Sequence, residues 1–88
     1  MLEREVTIIN RQGMHARPAM QMVEIASRFA SKIKIRKGHL VVDAKSIMQV
    51  MTLEAVQGTV LLLQAEGEDA GQALEALAQV VAEKFHED

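Results

Sequence analysis

Lys32-Ile33-Lys34-Ile35-Arg36-Lys37-Gly38-His39-Leu40-Val41-Val42 is the stretch from which the architecture follows. Its first half alternates charged and apolar side chains, the period of two that turns one strand face to a core and the other to water. Lys37-Gly38-His39 reverses the chain and Leu40-Val41-Val42 returns it, so the segment predicts a β-hairpin. A lone hairpin is at best marginally stable in water and must cover its apolar face with other elements.

The flanking sequence supplies them. Glu3 to Ile9 predicts a strand with Arg4, Val6 and Ile8 on one parity, followed by the polar turn Asn10-Arg11-Gln12-Gly13. Pro18 belongs in the first turn of a helix, where a missing N–H costs nothing. Ala19, Met22, Val23, Ala26 and Ala30 recur at helical spacing with Phe29 beside them, and the helix should end near Phe29 or Ser31. After the hairpin, Ser46 and Gln49 form a capping-box pattern that opens a short helix through Ile47, Val50, Met51 and Leu53, stopped at Gln57-Gly58. Val60-Leu61-Leu62-Leu63 is apolar on both parities, as a central strand would be. Asp69 with Gln72 signals a last helix start, and Ala70, Leu74, Leu77, Val81 and Phe85 fall on one stripe. The order β-α-β-β-α-β-α makes residues 1–88 one α+β domain, a single sheet with its helices on one face. Strand order stays open, since a ferredoxin-like sheet fits the first six elements equally well.

A domain of 88 residues buries only about 60–65% of the surface of its unfolded chain and has little volume to spare for a pocket. Work at the surface is therefore favoured over enclosure of a large substrate. Hydrophobic residues make up 49% and charged residues 25%, which suits a folded globular domain. The absence of cysteine excludes disulfides, Cys-type zinc sites and thiol nucleophiles. His39, expected in the hairpin turn, and His86, expected in a frayed tail, read as solvated, so no metal and no cofactor is expected. Met1–Glu5 carries charge in place of a signal peptide's apolar stretch, and no run approaches a membrane span, so a cytoplasmic protein without membrane insertion is expected. Residues 1–45 hold nine Lys/Arg against four Asp/Glu, and residues 46–88 one against eight. That split either steers an acidic partner to one face or reflects two solvated faces of different charge.

Gly13-Met14-His15-Ala16-Arg17-Pro18-Ala19 concentrates the chemistry. His15 stands between a glycine turn and a helix N-terminus, whose unpaired N–H groups and partial positive charge favour an anion. Arg17 adds a permanent cation with donors shaped for phosphate oxygens. Both disfavour protonation of the imidazole, leaving it neutral and nucleophilic near pH 7, and both welcome a phosphoryl group. From the residues alone, a solvated or capping histidine fits equally well.

The segment resembles the active site of the HPr family, the histidine-containing phosphocarriers of the bacterial phosphoenolpyruvate-dependent phosphotransferase system. Lys45-Ser46-Ile47-Met48-Gln49-Val50-Met51-Thr52-Leu53 resembles the family's regulatory-serine segment, and Ala65-Glu66-Gly67-Glu68-Asp69 with the helix after it also matches. The resemblance spans essentially the whole chain. It implies an open-faced β-sandwich, a four-stranded antiparallel sheet covered on one face by three helices. It implies that His15 takes a phosphoryl group from Enzyme I on Nδ1 and passes it to a IIA domain of a sugar permease or a related acceptor. Arg17 would support that group. The protein would be a monomeric phosphorylated intermediate rather than a stand-alone catalyst. Ser46, a helix cap on any reading, would also be the target of a serine kinase/phosphorylase. Met20, Ile47, Met48 and Met51 would lie where partners dock, although Met51 fits an inward-packed position as well. Flexible methionines suit a surface that meets several partners in turn.

Two departures stand out: Gln12 where many members of that family carry Asn or Ser, and Glu54 where many carry glycine. Glu54 would set a negative charge beside the docking face and alter partner choice. A regulatory binding protein, acting as a transcription-factor co-effector or a nitrogen-branch signalling relay, is the alternative, and His15 beside Arg17 argues against a purely regulatory role. An RNA-binding sheet would need stacking aromatics, but only Phe29 and Phe85 are present, both expected on helices, so no nucleic-acid partner is expected.

Overall fold

The computed structural model describes residues 1–87. The hairpin forms as β2 (Lys32–Lys37) and β3 (Leu40–Asp43), with Gly38 taking the turn at φ +59°. Ile33, Ile35 and Val42 point into the core while Lys32, Lys34 and Arg36 stay in water, as the alternation requires. Strands β1 (Leu2–Thr7) and β4 (Val60–Glu66) complete a four-stranded antiparallel sheet of order β1-β4-β2-β3. The fold is the open-faced α+β sandwich. The last strand, not the returning arm of the hairpin, lies between β1 and β2, which excludes the ferredoxin-like order.

Helices α1 (Ala16–Ala26), α2 (Ile47–Met51) and α3 (Ala70–Ala82) cover one face. Leu61, Leu63 and Ala65 of β4 are buried beneath them among Ile8, Met22, Val50, Leu77 and Phe85. β4 takes the interior position that its apolar run suggests, between β1 and β2, although Val60 is exposed and Leu62 half-buried on the open face. Position at the centre of a sheet gives β4 two neighbours, not a second layer.

Strand β1 stops at Thr7 rather than Ile9, yet Ile8 stays in the core, its N–H donating to Thr59 and its carbonyl accepting from Gly58. Helix α1 stops at Ala26, short of the Phe29–Ser31 boundary. Arg28 and Phe29 close tight turns onto Ile25 and Ala26, and the Asp69 carboxylate then captures the N–H groups of Ala30 and Ser31. Ala30 is consequently exposed and Phe29 only half-buried in a turn, not on a helix. Asp69 is therefore no side-chain cap for α3; its carboxylate is spent on the end of α1. Ser46 does cap α2, its Oγ accepting from the N–H of Gln49 at 3.3 Å. The reciprocal half of the capping box is displaced, because Gln49 Oε1 accepts from the N–H of Asp43 instead.

His86, expected in a frayed tail, lies instead in a defined turn past α3. Lys84, Phe85 and His86 form a single 3-10 turn in which all three have positive φ, +57°, +55° and +62°. Left-handed backbone costs L residues about 1–2 kcal/mol each, and no glycine relieves it here. Phe85, expected on the α3 stripe, lies past the helix end but is buried, and its carbonyl accepts from Gln21 Nε2 at 3.0 Å. Burial of the Phe85 ring offsets part of that strain. Among the described residues no helix is long and apolar enough to cross a membrane.

Candidate functional site

His15 is the N-cap of α1, in extended conformation with φ −79° and ψ −170°. Its carbonyl accepts from the N–H of Ala19, so the backbone starts the helix while the ring is left for other contacts. The first-turn N–H groups have no partner inside a helix. Pro18 has none to offer, so Ala16 and Arg17 supply the amides nearest the ring.

The turn before His15 is held rigidly. Gly13 sits at φ +68° and packs against the Ala55-Val56 backbone, where Met14 N–H donates to the Ala55 carbonyl at 2.8 Å. Asn10, fully buried, donates from Nδ2 to the Gly13 carbonyl at 2.8 Å. These contacts fix where the chain enters α1, and hence where the imidazole points.

The ring lies in an open depression lined by Gln12, His15, Ala16, Arg17 and Glu87, with 35% of the His15 side chain exposed. Both Glu87 oxygens stand 3.0 Å from Nε2. Asn10 Nδ2 reaches the same carboxylate at 3.3 Å. The hydrogen bond to the His15 ring, then that from Asn10 and the charges of His15 and Arg17, hold the Glu87 carboxyl below its ordinary value against a desolvation penalty. An ionised carboxylate only accepts, so Nε2 must carry hydrogen. Among the described residues Nδ1 has no hydrogen-bond partner, so with hydrogen on Nε2 it is the ring nitrogen that carries a free lone pair.

The structure thus brings His15 and Arg17 together and adds two residues that the sequence reading missed, Asn10 and Glu87. Only amides and cations were expected around the ring, whereas an anion also reaches it. Asn10 had a faint signal as the first residue of a polar turn. Glu87 had none, since the tail was taken as frayed.

Ser46 caps α2, Ile47, Met48 and Met51 lie on it, and Met20 lies on α1, against which α2 packs. Met20 is 62% exposed, Met48 79%, Met51 40% and Ile47 37%, while Met22 is fully buried. Met20 and Ile47 share a shallow apolar depression with Val23. Glu54 is exposed at φ +47°, a left-handed backbone conformation that favours glycine. His39 and His86 are exposed, and among the described residues no group of three or more His, Cys, Asp or Glu side chains is placed to hold a metal ion.

A family model described as the PTS HPr component phosphorylation site matches residues 2–83. The phosphocarrier protein HPr of Cupriavidus necator is 41% identical over 87 residues, 99% of this chain and 98% of that protein. Crystal structures agree. HPr-C-His from Thermoanaerobacter tengcongensis superposes with a TM-score of 0.96 at 44% identity, covering 100% of this chain and 99% of that one. An HPr dimer from the same organism gives 0.80 at 45% identity, covering 99% of this chain and 100% of that one.

Proposed function

The chain belongs to the HPr family and is a phosphocarrier of the phosphotransferase system, and from this we propose that His15 carries the phosphoryl group on Nδ1 with Arg17 as its anion support. The observation that carries the assignment is the ring's geometry: Nε2 is engaged by Glu87 at 3.0 Å, while Nδ1 has no hydrogen-bond partner among the described residues and the ring lines an open depression together with Arg17. The Arg17 guanidinium and the amides of Ala16 and Arg17 offer fixed positive charge to phosphoryl oxygens, the kind of stabilisation on which phosphoryl transfer depends.

Enzyme I is the donor, and a IIA domain of a sugar permease or a related acceptor is the recipient. Both visit the exposed apolar surface of Met20, Ile47, Met48 and Met51 beside the site. The protein acts in the cytoplasm as a monomer. It is an intermediate in transferase chemistry and needs no metal or cofactor of its own. Ser46 borders the docking surface, and its phosphorylation by a serine kinase/phosphorylase would place about two negative charges there.

The test is labelling by Enzyme I and phosphoenolpyruvate. The protein should gain one acid-labile phosphate and His15→Ala none. Undiminished labelling of His15→Ala would remove His15 from the role.

A further inference from the structure

We propose that Glu87 is a positioning residue of the phosphoryl carrier, holding the His15 ring with hydrogen on Nε2 so that Nδ1 alone is the nucleophile. The inference rests on the reading of His15 as the carrier and deepens it.

The geometry points to this role in two ways. First, both Glu87 oxygens lie 3.0 Å from Nε2, and the Asn10 amide 3.3 Å from Oε2 gives the carboxylate a second anchor. Two acceptor oxygens on one ring nitrogen leave no choice of tautomer. Second, the chain takes a strained path to deliver them. Lys84, Phe85 and His86 all adopt left-handed backbone, and the buried Phe85 ring and the Gln21 bond to its carbonyl hold the turn in place. Strain of this kind persists where surrounding contacts over-determine it, and such places cluster at functional sites. The Glu87 carboxyl, held below its ordinary value by the His15 contact and so favoured in its ionised form, agrees with the geometry.

During transfer the Nδ1 lone pair forms a bond to phosphorus. The bond from phosphorus to the donor breaks, and its electron pair leaves with the donor. The proton on Nε2 stays where it is, so the ring becomes cationic. Glu87 then faces that charge, much as a buried carboxylate orients and steadies the histidine of a hydrolase triad. Arg17 and the amides of α1 face the phosphoryl oxygens on the other side. The reverse step gives the group up from a ring still protonated on Nε2, which keeps the imidazole a good leaving group.

The experiment needs two readouts on the full chain. Nitrogen-15 spectra of the unphosphorylated protein at about pH 8, where an ordinary imidazole is neutral, report the tautomer without any donor. The wild type should show Nε2–H alone. Glu87→Gln offers Nε2 either an oxygen or an NH2, so both tautomers should coexist. Glu87→Asp restores a purely accepting group and should restore the single tautomer. With Enzyme I and phosphoenolpyruvate, Glu87→Gln should lose about tenfold in kcat with little change in KM, because placement rather than docking is disturbed. Glu87→Asp should recover part of that loss. Thermal melts identify a variant that has lost its fold. A Glu87→Gln protein with one tautomer and the wild-type kcat overturns the proposal, as does a wild type carrying hydrogen on Nδ1. Should the wild type take up no phosphate on His15, the carrier reading fails, while the tautomer spectra still decide what Glu87 does.

Discussion

Asp69 and Ser31 are joined twice: one carboxylate oxygen of Asp69 accepts both the backbone N–H of Ser31, at 2.9 Å, and its hydroxyl. The other oxygen accepts the N–H of Ala30 at 2.9 Å. Gly67, at φ +145°, lies so close to Ser31 that a Cβ would collide with its side chain. The start of α3 is thereby tied to the end of α1, and α1 in turn presents His15.

This contact predicts a pH dependence. The Ser31 hydroxyl, then the Ala30 N–H, hold the Asp69 carboxyl below its ordinary value. A carboxyl lowered in the folded state stabilises the fold fully above its unfolded value, near 3.8, and the gain is lost as pH falls through the lowered folded value. Asp69→Asn should therefore melt several degrees below wild type at neutral pH, and the gap should close in acid. Urea or thermal melts across that range measure it. A gap that is independent of pH would mean that Asp69 acts without its charge.

Gly13 predicts a different failure. A Cβ there would lie 2.4 Å from the Ala55 carbonyl oxygen and 2.9 Å from Val56 Cα, both backbone atoms that cannot step aside. Gly38, at φ +59°, has open space around it. Gly38→Ala should cost about 1 kcal/mol, the left-handed penalty alone. Gly13→Ala should cost about 2–4 kcal/mol, since backbone crowding adds to it. It should also slow phosphoryl uptake, because the Gly13 carbonyl is held by Asn10, which also reaches Glu87. Equal losses in urea melts would show that the crowding is relieved elsewhere.

Local patterns carried much of this molecule into its sequence. The alternation of Ile33 and Ile35, the helix start at Pro18 and the Ser46 cap each depend on neighbours within a few positions, and each is found in place. His15 and Arg17 were legible for the same reason. The errors have a common physical origin. Asp69 has the composition of a cap, but its carboxylate finds better donors at Ala30 and Ser31. Phe85 has the spacing of an α3 residue, but the helix ends at Ala82 and the ring is buried from the turn beyond it. Glu87 reaches His15 across 72 positions through a left-handed turn that contains no glycine to announce it. Periodicity reports which face of an element is buried; it does not report which side chain arrives from the far end of the chain.

Ser46 separates stability from docking. Its Oγ accepts the Gln49 N–H, a cap worth about 1 kcal/mol. Ser46→Ala should lose that amount in urea melts and still take up phosphate at the wild-type rate, since the hydroxyl touches nothing at His15. Ser46→Asp keeps an accepting oxygen at the cap and adds negative charge at a helix N-terminus, so its stability should stay within a few tenths of a kcal/mol of wild type. The added charge stands beside Ile47 and Met48 on the proposed docking surface and should slow uptake from Enzyme I about tenfold through KM, a mass-action effect of weakened encounter. Initial rates over a range of protein concentrations measure it. Wild-type kinetics in a stable Ser46→Asp protein would place the docking surface away from α2.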